Sequence, residues 1–304
     1  MEERPPRVTR HRSSSPAARG LAAFGGLILG VGVLAALAFA IVGRGDGSAT
    51  PTTAPTTTGP PPKPVLRIIF PEGFTIDDMA KRIRAVNKIA EEKRKITPKL
   101  EPRQYLRIGK TKSAPPQGFE YKKRVASLEG FLFPATYDFT EDTTTRQLVD
   151  KQFEAFIRAW SQLDLRYSKS KNLTAYDVLI IASMIEKEVQ VPKERPLVAA
   201  VIYNRLHAGL PLGIDATIRY GLHIPPTEPI HQSELDSDSP YNTRKFPGLT
   251  PTPIANPGLA SLQAAAHPAK VDYLYFVRKA DCKSHFFTAS EKKFDDYPRA
   301  GLNC

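Results

Sequence analysis

Val178-Leu-Ile-Ile-Ala-Ser-Met-Ile-Glu-Lys-Glu-Val189 decides how this chain is read. A nearly unbroken apolar run, Val178 to Ile185, stops at Glu186. The run is too short to cross a bilayer. Thr174 and Asp177 stand ahead of it at the spacing of a capping box, which predicts a helix start. A helix apolar on most of its circumference belongs in a core. Glu186 then falls at the C-terminal edge of buried structure. Partial burial and the negative helix end would both favour its protonated form, as a general acid requires. The plainer reading makes Glu186 the first solvated residue after a buried segment, and the motif alone leaves both open. Glu188, two positions on, points to a different helical face, so the two are not a ready-made carboxylate pair.

Working outward, residues 20–42 carry no charge and are mostly Ala, Leu, Gly, Val, Ile and Phe. As a helix they would reach roughly 34 Å, enough for a bilayer core. The preceding tail, residues 1–19, holds Arg4, Arg7, Arg10, Arg12 and Arg19 against Glu2 and Glu3. That bias predicts a cytoplasmic N-terminus. The expectation is a single-pass anchor in the cell (inner) membrane with everything after Arg44 outside. A cleaved signal segment is the runner-up. Residues 43–64, rich in Thr, Pro and Gly, form a tether that cannot bury a core.

The formal net charge is +12, and the tail and anchor account for only part of it. A basic exported domain suits anionic surroundings such as wall polymer or lipid headgroups. Nucleic acid is set aside because of the expected topology. The only cysteines are Cys282 and Cys304, with no spacing for a metal site, so neither metal nor cofactor is expected. In an oxidising exterior they could bond to each other.

The remaining pattern is mixed. Val65–Phe70 reads as a strand, Pro71-Glu72-Gly73 as a turn, and Thr75 caps a helix reaching about Ile89. Residues 94–125 read as charged and irregular. Glu129–Pro134 reads as an aromatic segment entering a core, and Thr145–Leu163 as an amphipathic helix. Helices follow to Glu188, over about Glu194–Ala208, and over Pro257–Ala266. Asp272–Val277 and His285–Thr288 suit a hairpin. The expected class is α+β: a small N-terminal α/β lobe at 65–112, and a helix-rich lobe at 113–304 ending in the hairpin. Candidate partners for Glu186 are Asp215, after a Pro- and Gly-rich bend, and Tyr241, Asn242 and Thr243 between Pro240 and Pro247. An aromatic face with nearby amides and hydroxyls suits a sugar cleft. A surface loop with an ordinary turn is the alternative.

Several strings carry a wider resemblance: Ala182-Ser-Met-Ile-Glu-Lys-Glu188, Glu194 through Leu206, Asp215-Ala-Thr-Ile-Arg-Tyr-Gly221, Ser239-Pro-Tyr-Asn-Thr243, Gly248 through Gly258, Ala265-Ala-His-Pro-Ala269 and Tyr273-Leu-Tyr-Phe-Val277. Upstream, Leu128-Glu-Gly-Phe-Leu-Phe-Pro-Ala-Thr-Tyr137 joins them. In this order they resemble the MltG/YceG-like endolytic murein transglycosylases. The resemblance implies a membrane-anchored enzyme cutting nascent peptidoglycan strands internally, with peptidoglycan synthases as candidate partners. It places the catalytic glutamate on Glu186 and puts Asp215, Tyr241, Asn242 and Thr243 at substrate-binding positions. Ala135, Ala216, Gly213-Ile214 and Arg244 depart from the family's strings, and only part of a LysM-like lobe fits in 65–112. A non-catalytic wall-binding protein and a hydrolytic muramidase are the alternatives.

Overall fold

The computed structural model describes residues 63–121, 123 and 125–298. The expected tail, anchor and most of the tether lie outside them, as does Cys304. No helix among the described residues is long and apolar enough to cross a membrane.

In chain order the elements are β1 (Leu66–Ile69), α1 (Ile76–Arg94), α2 (Pro102–Lys110), β2 (Thr136–Phe139), α3 (Thr145–Trp160), α4 (Arg166–Ser170) and α5 (Ala175–Glu188). A single 3-10 turn, Pro192–Glu194, leads into α6 (Arg195–His207). Then come α7 (Asp215–Leu222), α8 (Gln232–Leu235), α9 (Leu259–Ala266), β3 (Tyr275–Arg278), β4 (His285–Thr288) and α10 (Glu291–Asp295). Helices with two small antiparallel sheets make this an α+β fold.

Three of the long helices start on reciprocal capping boxes, Thr75/Asp78, Thr144/Gln147 and Thr174/Asp177. Each box satisfies backbone N–H groups that the first turn leaves without partners. The first helix runs past the expected Ile89 to Arg94, and Lys95 ends it in the left-handed conformation. The segment expected to be irregular contains α2. Its Pro102 occupies the first turn, where a missing N–H costs nothing, so this proline opens a helix.

Strand β1 pairs with β2, Leu66 opposite Phe139 and Ile68 opposite Tyr137, with these four side chains inward. The ladder therefore crosses the expected boundary between residues 112 and 113. Tyr105 on α2 donates its hydroxyl to Gln152 on α3 at 2.8 Å, deep in the same layer. Below it Phe119, Phe131, Phe156 and Trp160 pack ring against ring at 4.8 to 5.8 Å. Gly130, at φ +90°, enters this core where a Cβ would stand 2.7 Å from the Pro253 ring, so no other residue fits.

Helix α5 lies at the centre, and every residue from Val178 to Ile185 is buried. It packs against α9, α6 and α7. Burying each large apolar side chain contributes about 1.5–3 kcal/mol, so packing holds this helix more than propensity does. At the far end β3 and β4 form the expected hairpin, Tyr275 opposite Thr288. It is fastened by a buried pair, His285 Nδ1 to Glu194 Oε2 at 2.8 Å, with the His285 N–H donating to Glu194 Oε1 at 3.1 Å.

Candidate active site

Glu186 sits in the last turn of α5, half-buried. Its Oε2 accepts the Gly258 N–H at 3.0 Å. Gly258 is the N-cap of α9, so the carboxyl faces the positive end of that helix. Opposite lies the β1–α1 turn. Gly73, at φ +75°, brings its backbone so close that a Cβ there would be 3.5 Å from Glu186 Cγ. The neighbouring Glu72 places Oε1 where a Cβ on Gly258 would be only 1.8 Å away. Gly258 has an ordinary extended backbone, so its glycine is required by this close approach and not by its φ.

This turn is clamped by Asn256. Gly73 N–H donates to Asn256 O at 2.9 Å and Asn256 N–H to Phe74 O at 3.0 Å. The Asn256 amide spans three segments at once. Nδ2 donates to Phe74 O at 2.9 Å and to Glu129 Oε1 at 2.7 Å, while Oδ1 accepts the N–H groups of Gly130 and Leu132, each at 2.9 Å. Glu129 is buried and accepts the Ile76 N–H at 3.1 Å and the Tyr220 hydroxyl at 3.2 Å. Burial pushes its carboxyl up to about 8; the hydrogen bonds from Ile76, Tyr220 and Asn256 pull the other way, and the charge of Asp77 adds to the rise. In the sequence Glu129 and Asn256 stand inside longer strings that mark neither as a site residue. An acid inside an aromatic core segment was the available signal for Glu129.

Glu186 and Lys187 form one wall of a cleft of about 690 Å³; Glu72, Phe74, Lys81 and Arg82 line the other. The Arg82 guanidinium lies 5.3 Å over the Phe74 ring, which leaves a cation and an aromatic face beside the carboxyls. A larger cavity, about 1010 Å³, lies between α2, α3 and residues 111–117 and shares no lining residue with this cleft. It does not reach Glu186, which lines the smaller one.

The other expected site residues stand elsewhere, and none of them lines this cleft. Asp215, at the start of α7, pairs with Arg244 at 2.6 Å. Tyr241 meets Thr252 Oγ1 at 2.8 Å through its hydroxyl and packs its ring 5.3 Å from that of Tyr220. Asn242 is fully buried; Nδ2 donates to the carbonyls of Leu235 at 2.8 Å and Ser237 at 2.9 Å. Thr243 is buried too, its hydroxyl accepting Ile214 N–H at 3.1 Å and meeting Thr217 Oγ1 at 2.9 Å. The link from this motif to Glu186 is indirect: Tyr241 to Tyr220, Tyr220 to Glu129, Glu129 to Asn256, and Asn256 to the turn beside Glu186. Glu188 faces α7. Burial first and the charge of Asp215 second push its carboxyl up, against Arg278, the Ala216 N–H and Arg244.

The YceG-like family model matches residues 53–299. The chain is 40% identical over 156 residues to the endolytic murein transglycosylase of Bacillus subtilis strain 168, a stretch covering 51% of this chain and 42% of that protein. It is 35% identical over 237 residues to the endolytic murein transglycosylase of Streptococcus pneumoniae strain R6, covering 72% of this chain and 42% of that one. The match thus spans well under half the length of these relatives. The crystal structure of a YceG-like protein from Listeria monocytogenes superposes with a TM-score of 0.63 at 29% identity, over 75% of both chains. The ordered strings from Leu128 to Val277, the fold built around α5 and the match over residues 53–299 place this chain in the YceG-like family.

Proposed function

We propose that this chain is a membrane-anchored endolytic transglycosylase of peptidoglycan. It would cut nascent glycan strands internally and leave 1,6-anhydromuramyl ends. The carrying observation is the Glu186 carboxyl, fixed by the Gly258 N–H at the wall of an open cleft. The names of the relatives point the same way.

An ordinary glycosidase uses two carboxyl groups, one as acid and one as nucleophile or base. An intramolecular transfer needs no water and can run on one. Glu186 donates its proton to the glycosidic oxygen as the bond to the anomeric carbon breaks, and the electron pair leaves with that oxygen. The neighbouring N-acetyl group supports the charge at the carbon. Glu186, now a carboxylate, takes the proton of the muramyl 6-hydroxyl as its oxygen closes onto the same carbon. No step calls on a metal or cofactor. In this reading Asp215, Tyr241, Asn242 and Thr243 shape the substrate path by holding the 235–244 loop on α7. Tyr241 reaches the catalytic turn through Tyr220 and Glu129. Residues 20–42 anchor the protein in the cell membrane with the domain outside, near peptidoglycan synthases.

Mass spectrometry of products from purified glycan strands tests this. Wild type should release 1,6-anhydro ends and Glu186→Gln should not. Reducing ends would indicate a hydrolytic muramidase, and binding without cleavage by the wild type would indicate a wall-binding protein.

A further inference from the structure

We infer that Glu72 is the positioning partner of Glu186, a second carboxyl set beside it so that the pair enters the reaction holding one proton. The inference rests on the reading of Glu186 as the acid.

Two carboxyls from elements far apart in sequence converge on one glycine. Glu186 Oε2 takes the Gly258 N–H at 3.0 Å. Glu72 Oε1 lies 1.8 Å from the position a Gly258 Cβ would occupy. The backbone nitrogen and Cβ of one residue are about 2.5 Å apart, so these two oxygens are separated by no more than about 7 Å. Both line the same cleft. Gly73 seats the turn against Glu186, and Asn256 locks it there, so Glu72 cannot drift away without breaking the clamp.

Two negative charges this close disfavour each other. Although Glu72 is largely exposed, its carboxyl end is pressed onto Gly258. That shielding and then the charge of Glu186 raise its proton affinity, and Arg195 at the start of α6 works against the rise. The other charged groups facing the cleft are Lys187 on α5 and Asp78, Lys81 and Arg82 on α1. Lys81 lies 3.6 Å from Asp78.

The role is electrostatic. Glu72 makes no bond to the substrate. The proton leaves the pair for the glycosidic oxygen, and the 6-hydroxyl returns one. Interacting carboxyls titrate as a pair, so the relevant pH values belong to both groups together.

The test uses the full-length protein in detergent with carbon-13 in its glutamate carboxyls. In Glu186→Gln, the titration midpoint of Glu72 should fall by about one pH unit, because the neighbouring charge is gone. Coupling is reciprocal. Glu72→Gln should therefore move the basic limb of the cleavage profile down by a similar amount, with a roughly tenfold loss of rate on that limb and little loss at acid pH. Melting of both variants is followed to show that they fold. A Glu72 midpoint indifferent to Glu186→Gln overturns the inference. So does a Glu72→Gln profile lowered equally at every pH, the mark of a structural role. Reducing ends, or no cleavage by the wild type, would sink the proposed function instead, and the Glu72 titration would still be readable.

Discussion

Replacing Glu129 by Gln should abolish a pH dependence of stability that the wild type carries. Glu129 is an acid whose proton affinity is higher in the folded state, lifted from 4.5 to about 8 by burial. Between those values the folded chain holds a proton that the unfolded chain has released. Stability must then fall as pH rises. The contribution is full below about 4.5, declines as pH climbs toward about 8, and is gone above it. Each pH unit corresponds to about 1.4 kcal/mol, so the whole span amounts to something on the order of 5 kcal/mol. Gln reproduces the neutral acid: its oxygen can accept from Ile76 N–H and Asn256 Nδ2, and its amide can meet the Tyr220 hydroxyl. Chemical denaturation at intervals from pH 5 to 9 should show wild-type stability sloping downward relative to Glu129→Gln. The variant should be close to wild type at pH 5 and the more stable of the two at pH 8.5. Parallel curves would refute the reasoning, because a proton released on unfolding must appear as a slope.

The remaining expectations concern the reaction, the clamp and the topology. Glu186→Gln should stay folded and bind glycan yet lose cleavage by a factor on the order of 10²–10⁴, the usual contribution of a placed acid or base, while Glu188→Gln costs much less; near-normal activity in the first variant would reject Glu186. Asn256→Ala strips the acceptor from two buried N–H groups, Gly130 and Leu132, at about 1–3 kcal/mol each, and should also lower activity by freeing the turn beside Glu186. Denaturation midpoints indistinguishable from wild type would contradict that clamp. Protease added outside intact cells should remove the domain after residue 44 and spare the arginine-rich tail; digestion of the tail would refute the topology. Non-reducing peptide mapping of exported protein should join Cys282, which holds no free thiol, to Cys304. Reduction of that bond should cost about 3 kcal/mol, and two free thiols would reject it.

Much of the fold was legible because its signals are local. A capping box lies within four residues, and Thr75, Thr144 and Thr174 each start the helix their neighbours announce. The apolar run of α5 is buried because seven large or small apolar side chains and one serine, Val178 to Ile185, leave water no face to meet. The hairpin followed from alternation. Helix α2 was not legible. Its one proline, Pro102, reads as a breaker, and only the docking of Tyr105 under Gln152 shows that it opens an ordered turn.

The sequence by itself determined the helical scaffold around Glu186, the family strings and the expected export of a basic domain. Tertiary structure alone decided which groups stand beside that carboxyl. Glu72, Glu129, Asn256 and Gly258 come from three distant segments and meet at one turn. Asn242 and Thr243, which look in sequence like groups for a sugar, spend their hydrogen bonds inside the fold. Local rules fix where an element begins and which of its faces is apolar. They do not say which other face it will be packed against, and hydrogen bonds and carboxyl pairs across that packing exist only once the chain has closed on itself.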